Sequence, residues 1–122
     1  MRTRTVLAVA VTLFASMLVG YAADVAGKWT SEFDTPIGRL NYTYEFQVDG
    51  TTLTGKAIWQ QGETEITEGK INGDEIFFVE NISFEGQALR IEYKGKVSGD
   101  EIQMTRQVGD FATEEIVAKR VK

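Results

Sequence analysis

Residues 39–48 run Arg39-Leu40-Asn41-Tyr42-Thr43-Tyr44-Glu45-Phe46-Gln47-Val48, with every second side chain apolar or aromatic and polar groups between. Successive side chains of a strand point to opposite faces, so Leu40, Tyr42, Tyr44, Phe46 and Val48 share one buried face of a half-wet sheet. The same two-residue rhythm recurs in Leu89, Ile91 and Tyr93, and in Ile102, Met104 and Val108. Turn chemistry separates the runs. Asp49-Gly50, Asn72-Gly73-Asp74 and Ser98-Gly99-Asp100 supply the Gly and Asn/Asp residues of tight hairpins, while Asp34-Thr35-Pro36-Ile37-Gly38 forms a longer loop around the only proline.

Strands are predicted near residues 27–34, 39–48, 51–60, 63–71, 75–82, 87–97, 101–108 and 112–121, with no helical period among them. An internal echo supports hairpin organisation. Gly69-Lys70-Ile71-Asn72-Gly73-Asp74-Glu75-Ile76 returns 26 residues later as Gly95-Lys96-Val97-Ser98-Gly99-Asp100-Glu101-Ile102. Two strands with their turns account for that offset; recruitment of similar residues by similar turns accounts for it equally well. Short links favour sequential antiparallel neighbours, and closing the meander removes its two exposed edges. The expected fold is therefore all-β, an eight-stranded antiparallel up-and-down barrel, with a two-sheet sandwich as the alternative. Such a barrel is filled by side chains or holds one small ligand. A mostly filled interior with a cleft at one open end is the expectation.

The start of the chain reads as an address. Arg2 and Arg4 precede an almost wholly apolar run, Val6 to Val19, too short to span a bilayer comfortably. With Gly20 and Ala22 at the −3 and −1 positions, the pattern is that of a signal peptide, residues 1–22, followed by one domain, residues 23–122. A retained membrane anchor is the competing reading. The expected location is periplasmic or secreted, without stable membrane insertion after cleavage.

Net charge is −5 overall, and −7 once Arg2 and Arg4 are removed with no acid lost. An acidic surface repels phosphate backbones, so nucleic acid is a poor partner. The chain has no cysteine and no histidine. That closes nucleophilic constellations built on imidazole, and zinc sites built on imidazole or thiolate. Carboxylate, tyrosine or lysine chemistry and oxygen-only metal sites remain. No calcium-loop spacing appears around Asp49, Asp74 or Asp100, and no metal site or cofactor is assigned.

Gly27-Lys28-Trp29 resembles the Gly-x-Trp motif of calycins, the superfamily of lipocalins, fatty-acid-binding proteins and avidins. The resemblance implies a barrel in which a basic residue of the last strand packs across that tryptophan, and Arg120 stands where it would be. The chain is also similar to small exported bacterial domains that share Gly-x-Trp, Thr-Pro-x-Gly, Leu-Thr-Gly and Gly-x-Ile/Val-x-Gly-Asp-x-Ile. Here these read Gly27-Lys28-Trp29, Thr35-Pro36-Ile37-Gly38, Leu53-Thr54-Gly55 and Gly69 to Ile76. That second resemblance covers nearly all of residues 23–122, speaks to fold and carries no settled activity. Later lipocalin motifs and the ligand contacts of avidins are missing, so neither lipid nor biotin binding is implied.

Arg106 shares the phase of Ile102, Met104 and Val108, so it points inward or to the barrel mouth. A guanidinium there needs a partner. That partner is a ligand's polar group or an internal acid such as Glu80. Trp59, Tyr42 and Tyr44 form the aromatic set suited to a sugar or another partly apolar ligand, although aromatics at strand spacing are commonly plain core. Glu63 and Glu65 share the solvent face, and alternation puts Glu68 with Ile66 on the other. Carboxylate pairs can hydrolyse glycosides when held close and buried. An exposed acidic strand is the expected state of these. No catalytic residue is assigned. The leading expectation is a binding or accessory barrel for a small or glycan-related ligand at its mouth; a carboxylate-based hydrolase and a purely structural domain are the rivals. Oligomeric state is not readable.

Overall fold

A computed structural model describes residues 24–122. The expected leader, residues 1–22, lies outside the described residues. The eight strands are β1 (Gly27–Thr35), β2 (Gly38–Asp49), β3 (Thr52–Trp59), β4 (Gly62–Asn72), β5 (Glu75–Phe84), β6 (Gln87–Ser98), β7 (Glu101–Val108) and β8 (Ala112–Arg120). Each pairs antiparallel with its sequence neighbour, and β8 returns to β1, so the sheet is a closed up-and-down barrel rather than a sandwich. The architecture is compatible with a calycin-like fold. Gly50, Gly73 and Gly99 hold φ near +60°, the left-handed geometry that the hairpins at one end require.

Alternation sorts the side chains as the sequence predicts. Leu40, Tyr42, Tyr44 and Phe46 are buried, as are Ile91, Tyr93, Ile102 and Met104. Val48 departs from the pattern: it lies at the strand end and is exposed. Glu68 departs as well. The pairing of β4 with β5 shifts register between Thr67 and Lys70, and Glu68 takes φ +56°. The irregularity turns Glu68 away from the face of Ile66 and out to solvent, where it bonds Arg90 of β6 at 3.0 Å. Since β5 lies between those strands, this ion pair crosses the outer face of β5, where Val79 is buried outside the main core. Glycine permits the bending of β3 and β4. A Cβ on Gly55 would stand 1.7 Å from the Glu45 carbonyl oxygen, and one on Gly69 1.9 Å from that of Leu53.

The end carrying residues 24–26 and the close of β8 is sealed. Trp29 is fully buried, and its indole N–H donates to the Val25 carbonyl at 2.9 Å, drawing Val25 in as a plug. The Arg120 guanidinium carbon sits 4.3 Å from the Trp29 ring centroid. Its N–H groups reach Asp100 Oδ1 at 3.0 Å and the carbonyls of Ala26 and Asp24 at 3.1 and 2.7 Å. Backbone pairing along the β1–β8 seam covers only Trp29 with Arg120 and Thr30 with Lys119. Ser31 adds a hydroxyl donated to the Val117 carbonyl, and the Val121 N–H donates to Lys28. One guanidinium thus ties the leading segment, the first strand, the last strand and the β6–β7 turn together. Replacing Arg120 with Met removes the cation over the ring and three donors. We expect a loss of about 2–3 kcal/mol, read as a lower urea midpoint; Arg120→Lys should recover only part, because a single ammonium cannot reach all three partners. An unchanged midpoint for Arg120→Met would refute this account of the seam.

Candidate functional site

The opposite end is open. The β1–β2, β3–β4, β5–β6 and β7–β8 hairpins ring a cleft of about 400 Å³, within the usual range of small-ligand sites. Its walls are largely apolar: Pro36, Ile37 and Leu40 on one side, Trp59 on another, then Ile82, Phe84, Leu89 and Ile91, with Val108, Phe111 and Ala112 closing the ring. Thr35, Glu85 and Gln87 add polar groups, while Arg106 and Glu114 complete the lining. Phe111 and Ile37 are strongly exposed at the rim.

Arg106 and Glu114 form the charged floor. Arg106 Nη1 donates to Glu114 Oε1 at 2.7 Å, with only 4% of the arginine side chain and 14% of the glutamate side chain exposed. Cross-strand register produces the pair, because Arg106 of β7 stands opposite Glu114 of β8 on one side and Tyr93 of β6 on the other. Beneath the floor lies a hydrogen-bonded network. Arg106 Nε donates to the Tyr93 hydroxyl at 2.9 Å, and Nη2 to the Tyr42 hydroxyl at 3.1 Å. Those hydroxyls donate onward to the two oxygens of Glu80, Tyr42 at 2.9 Å and Tyr93 at 2.8 Å. Tyr44 donates to Tyr93 at 3.2 Å. Glu80 is fully buried, yet no buried side-chain polar atom among the described residues lacks a partner. The guanidinium is also packed over the faces of Phe33 and Tyr42, each centroid 5.2 Å away.

Electrostatics follows from this burial. Loss of solvent raises the Glu80 carboxyl above its ordinary 4.5, against the opposing pull of Tyr93, Arg106 and Tyr42. Burial likewise pushes the hydroxyls of Tyr42, Tyr44 and Tyr93 well up, so they remain protonated donors. Burial disfavours the Arg106 cation, but the surrounding Tyr93, Tyr42 and Glu114 oxygens outweigh it and hold the guanidinium charged.

Two of the residues singled out from sequence, Arg106 and Trp59, line the cleft; Tyr42 and Tyr44 lie behind it in the core. Trp59 stacks on Tyr42 at 5.9 Å and 2°, which joins the cleft wall to the network. Trp29 and Arg120 belong to the sealed end. Arg106 does not pair directly with Glu80; two tyrosine hydroxyls stand between them, and its ion-pair partner is Glu114. Glu114 was not singled out, although it shares the phase of the inward Ile116 and Ala118. Glu63 and Glu65 are exposed, as expected. Among the described residues, no group of three or more acids converges as a metal site.

The chain matches no protein-family model, and no curated protein or solved structure matches it significantly. Its chemistry must be read from the cleft and the network below it.

The buried carboxyl makes a pH prediction. Below about pH 4.5, Glu80 is protonated in folded and unfolded chain alike and contributes no pH dependence. As pH rises past that point the unfolded chain releases the proton while the folded one retains it, so stability falls until the raised folded value is passed, then levels off. Glu80→Gln should lack this falling limb. Urea midpoints of both proteins from pH 4 to 8 check it, and a wild-type minus variant difference independent of pH would contradict the assignment.

Proposed function

We propose that this chain is an exported binding barrel, acting in the periplasm or outside the cell, whose mouth receives a small and largely apolar ligand. The cleft carries the proposal: an open, apolar recess ending on a largely buried charged pair that can orient a ligand's polar end. Pre-formed, mostly apolar concavities with a few placed polar groups are the common form of small-molecule sites. A rigid floor favours recognition without rearrangement, and here the floor is braced from below by three tyrosines and Glu80. The apolar walls suit an alkyl or aryl body better than a glycan, which wants many polar partners beside its aromatic face. The leader-like start and the resemblance to small exported bacterial domains support the location.

Hydrolysis draws less support. Glu63, Glu65 and Glu68 are exposed, and Glu68 is held low by its bonds to Arg90, opposite to the raised value a general acid needs.

The test is a titration of residues 23–122 with the neutral fluorophore N-phenyl-1-naphthylamine. Saturable emission with energy transfer from Trp59 is expected. In Ala112→Trp, where an indole grows from β8 into the recess, binding should fall at least about tenfold while the melting temperature is retained. Absence of saturable binding, or equal binding by the filled variant, would defeat the proposal.

A further inference from the structure

Resting on the cleft as the binding site, we infer that it selects a cationic amphiphile, an apolar body led by a protonated amine, and rejects a carboxylate-headed one.

The floor contains an arginine, which at first sight invites an anion. Each of its three nitrogens already donates within the protein, which uses three of its five N–H groups. Arg106 spends Nε on Tyr93, Nη1 on Glu114 and Nη2 on Tyr42, and its positive charge is matched by Glu114 at 2.7 Å. A carboxylate entering the cleft would meet the Glu114 carboxylate already paired with that guanidinium, and the two like charges would repel. The lining holds one cation, Arg106, and two anions, Glu85 and Glu114, for a balance of −1. Glu80 lies directly behind the arginine and adds no positive charge. Other arginines of this end are engaged on the outer surface, Arg39 by Glu32 and Asp34, and Arg90 by Glu68 and Glu92. An anionic head therefore finds no spare cation in the lining.

A donor head finds an acceptor. Glu114 lines the cleft and uses Oε1 for Arg106, while Oε2 makes no hydrogen bond to the described residues. That oxygen is not a buried orphan, since no such atom is present, so it is open to a molecule in the cleft. An ammonium placed against it gains a charge-assisted hydrogen bond while its body covers the apolar walls. The faces of Trp59, Phe84 and Phe111 add electron-rich surface that tolerates a cation and repels an anion. Shape, acceptor and charge balance thus favour the same ligand class.

Three ligands with one tail and different heads test this: decylamine, decanol and decanoate, each below its micelle concentration at neutral pH. Their displacement of N-phenyl-1-naphthylamine from residues 23–122 gives relative affinities. Decylamine should bind at least about tenfold more tightly than decanoate, with decanol between. In Glu114→Gln, whose amide oxygen still accepts from Arg106, that ratio should shrink by most of its value; the variant is less stable, so a cooperative melt above the assay temperature confirms that it is folded. Parity of decylamine and decanoate, or the reverse order, overturns the inference while leaving the cleft as a binding site. A ratio unchanged in Glu114→Gln assigns the preference to the general acidity of the surface and also overturns it. Displacement by none of the three removes the binding reading itself, and the inference with it.

Discussion

The barrel depends on the meeting of its first and last strands. Seven of its eight strand contacts are made by hairpins, whose partners are neighbours in sequence and cost little chain entropy to join. The eighth, β1 with β8, brings together residues some 90 positions apart, through two paired positions. Without it the sheet would be an open ribbon with two unpaired edges and a core exposed along one side. Arg120 and Trp29 stand at that contact. The guanidinium covers the ring and binds three further groups, so a thin backbone seam is reinforced where it is most exposed to fraying. Val25, drawn in by the indole N–H, shields the same end from water.

Once the barrel is closed, its inner surface becomes a low-dielectric enclosure, and a charge placed there must be answered within it. Arg106 is that charge. A single acid would neutralise it but leave most of its fork unbonded. The chain instead surrounds the guanidinium with Glu114 and two phenols, and then satisfies the phenols with Glu80. Glu80 keeps both oxygens occupied by the same two hydroxyls. Removing any one member leaves others unpaired, so the network is cooperative in the sense that its parts are not worth their separate values. It also explains why the lower barrel is solid: aromatic rings carry the hydroxyls inward and fill the volume that a ligand would otherwise occupy.

Much of this was legible in the chain. The rhythm of residues 39–48 and its repetition sorted inner from outer side chains, and the glycine-containing turns marked where strands reverse. Gly27-Lys28-Trp29 and Arg120 pointed to opposite ends of the chain that do meet in space. What the rhythm could not supply was register. Alternation says that Arg106, Tyr93 and Glu114 all face inward, but only the stagger of β6, β7 and β8 decides that they form one row. Glu80 was a natural partner for Arg106 by charge alone; the strands place it one hydroxyl too far away. Glu68 failed for a related reason. Period-2 counting assumes an unbroken ladder, and the register shift between Thr67 and Lys70 reverses the face of the residue within it. Val25 lies before the first strand, where no periodicity exists to mark a plug.

The cleft and the network are parts of one structure rather than two features sharing a barrel. Arg106 presents its edge to the cleft and its donors to the core, and Trp59 forms cleft wall on one side while stacking on Tyr42 with the other. The floor is therefore rigid for the same reason that the core is satisfied: moving Arg106 toward a ligand would break bonds to Tyr42, Tyr93 and Glu114 together. A site built this way discriminates by what it already contains. Its arginine has its charge matched by Glu114 and all three nitrogens engaged, its free acceptor belongs to Glu114, and the mouth adds apolar surface with little polar variety. Selectivity at such a site follows from the order in which the barrel satisfies its own buried charge, since only the valence left over after folding is available to a ligand.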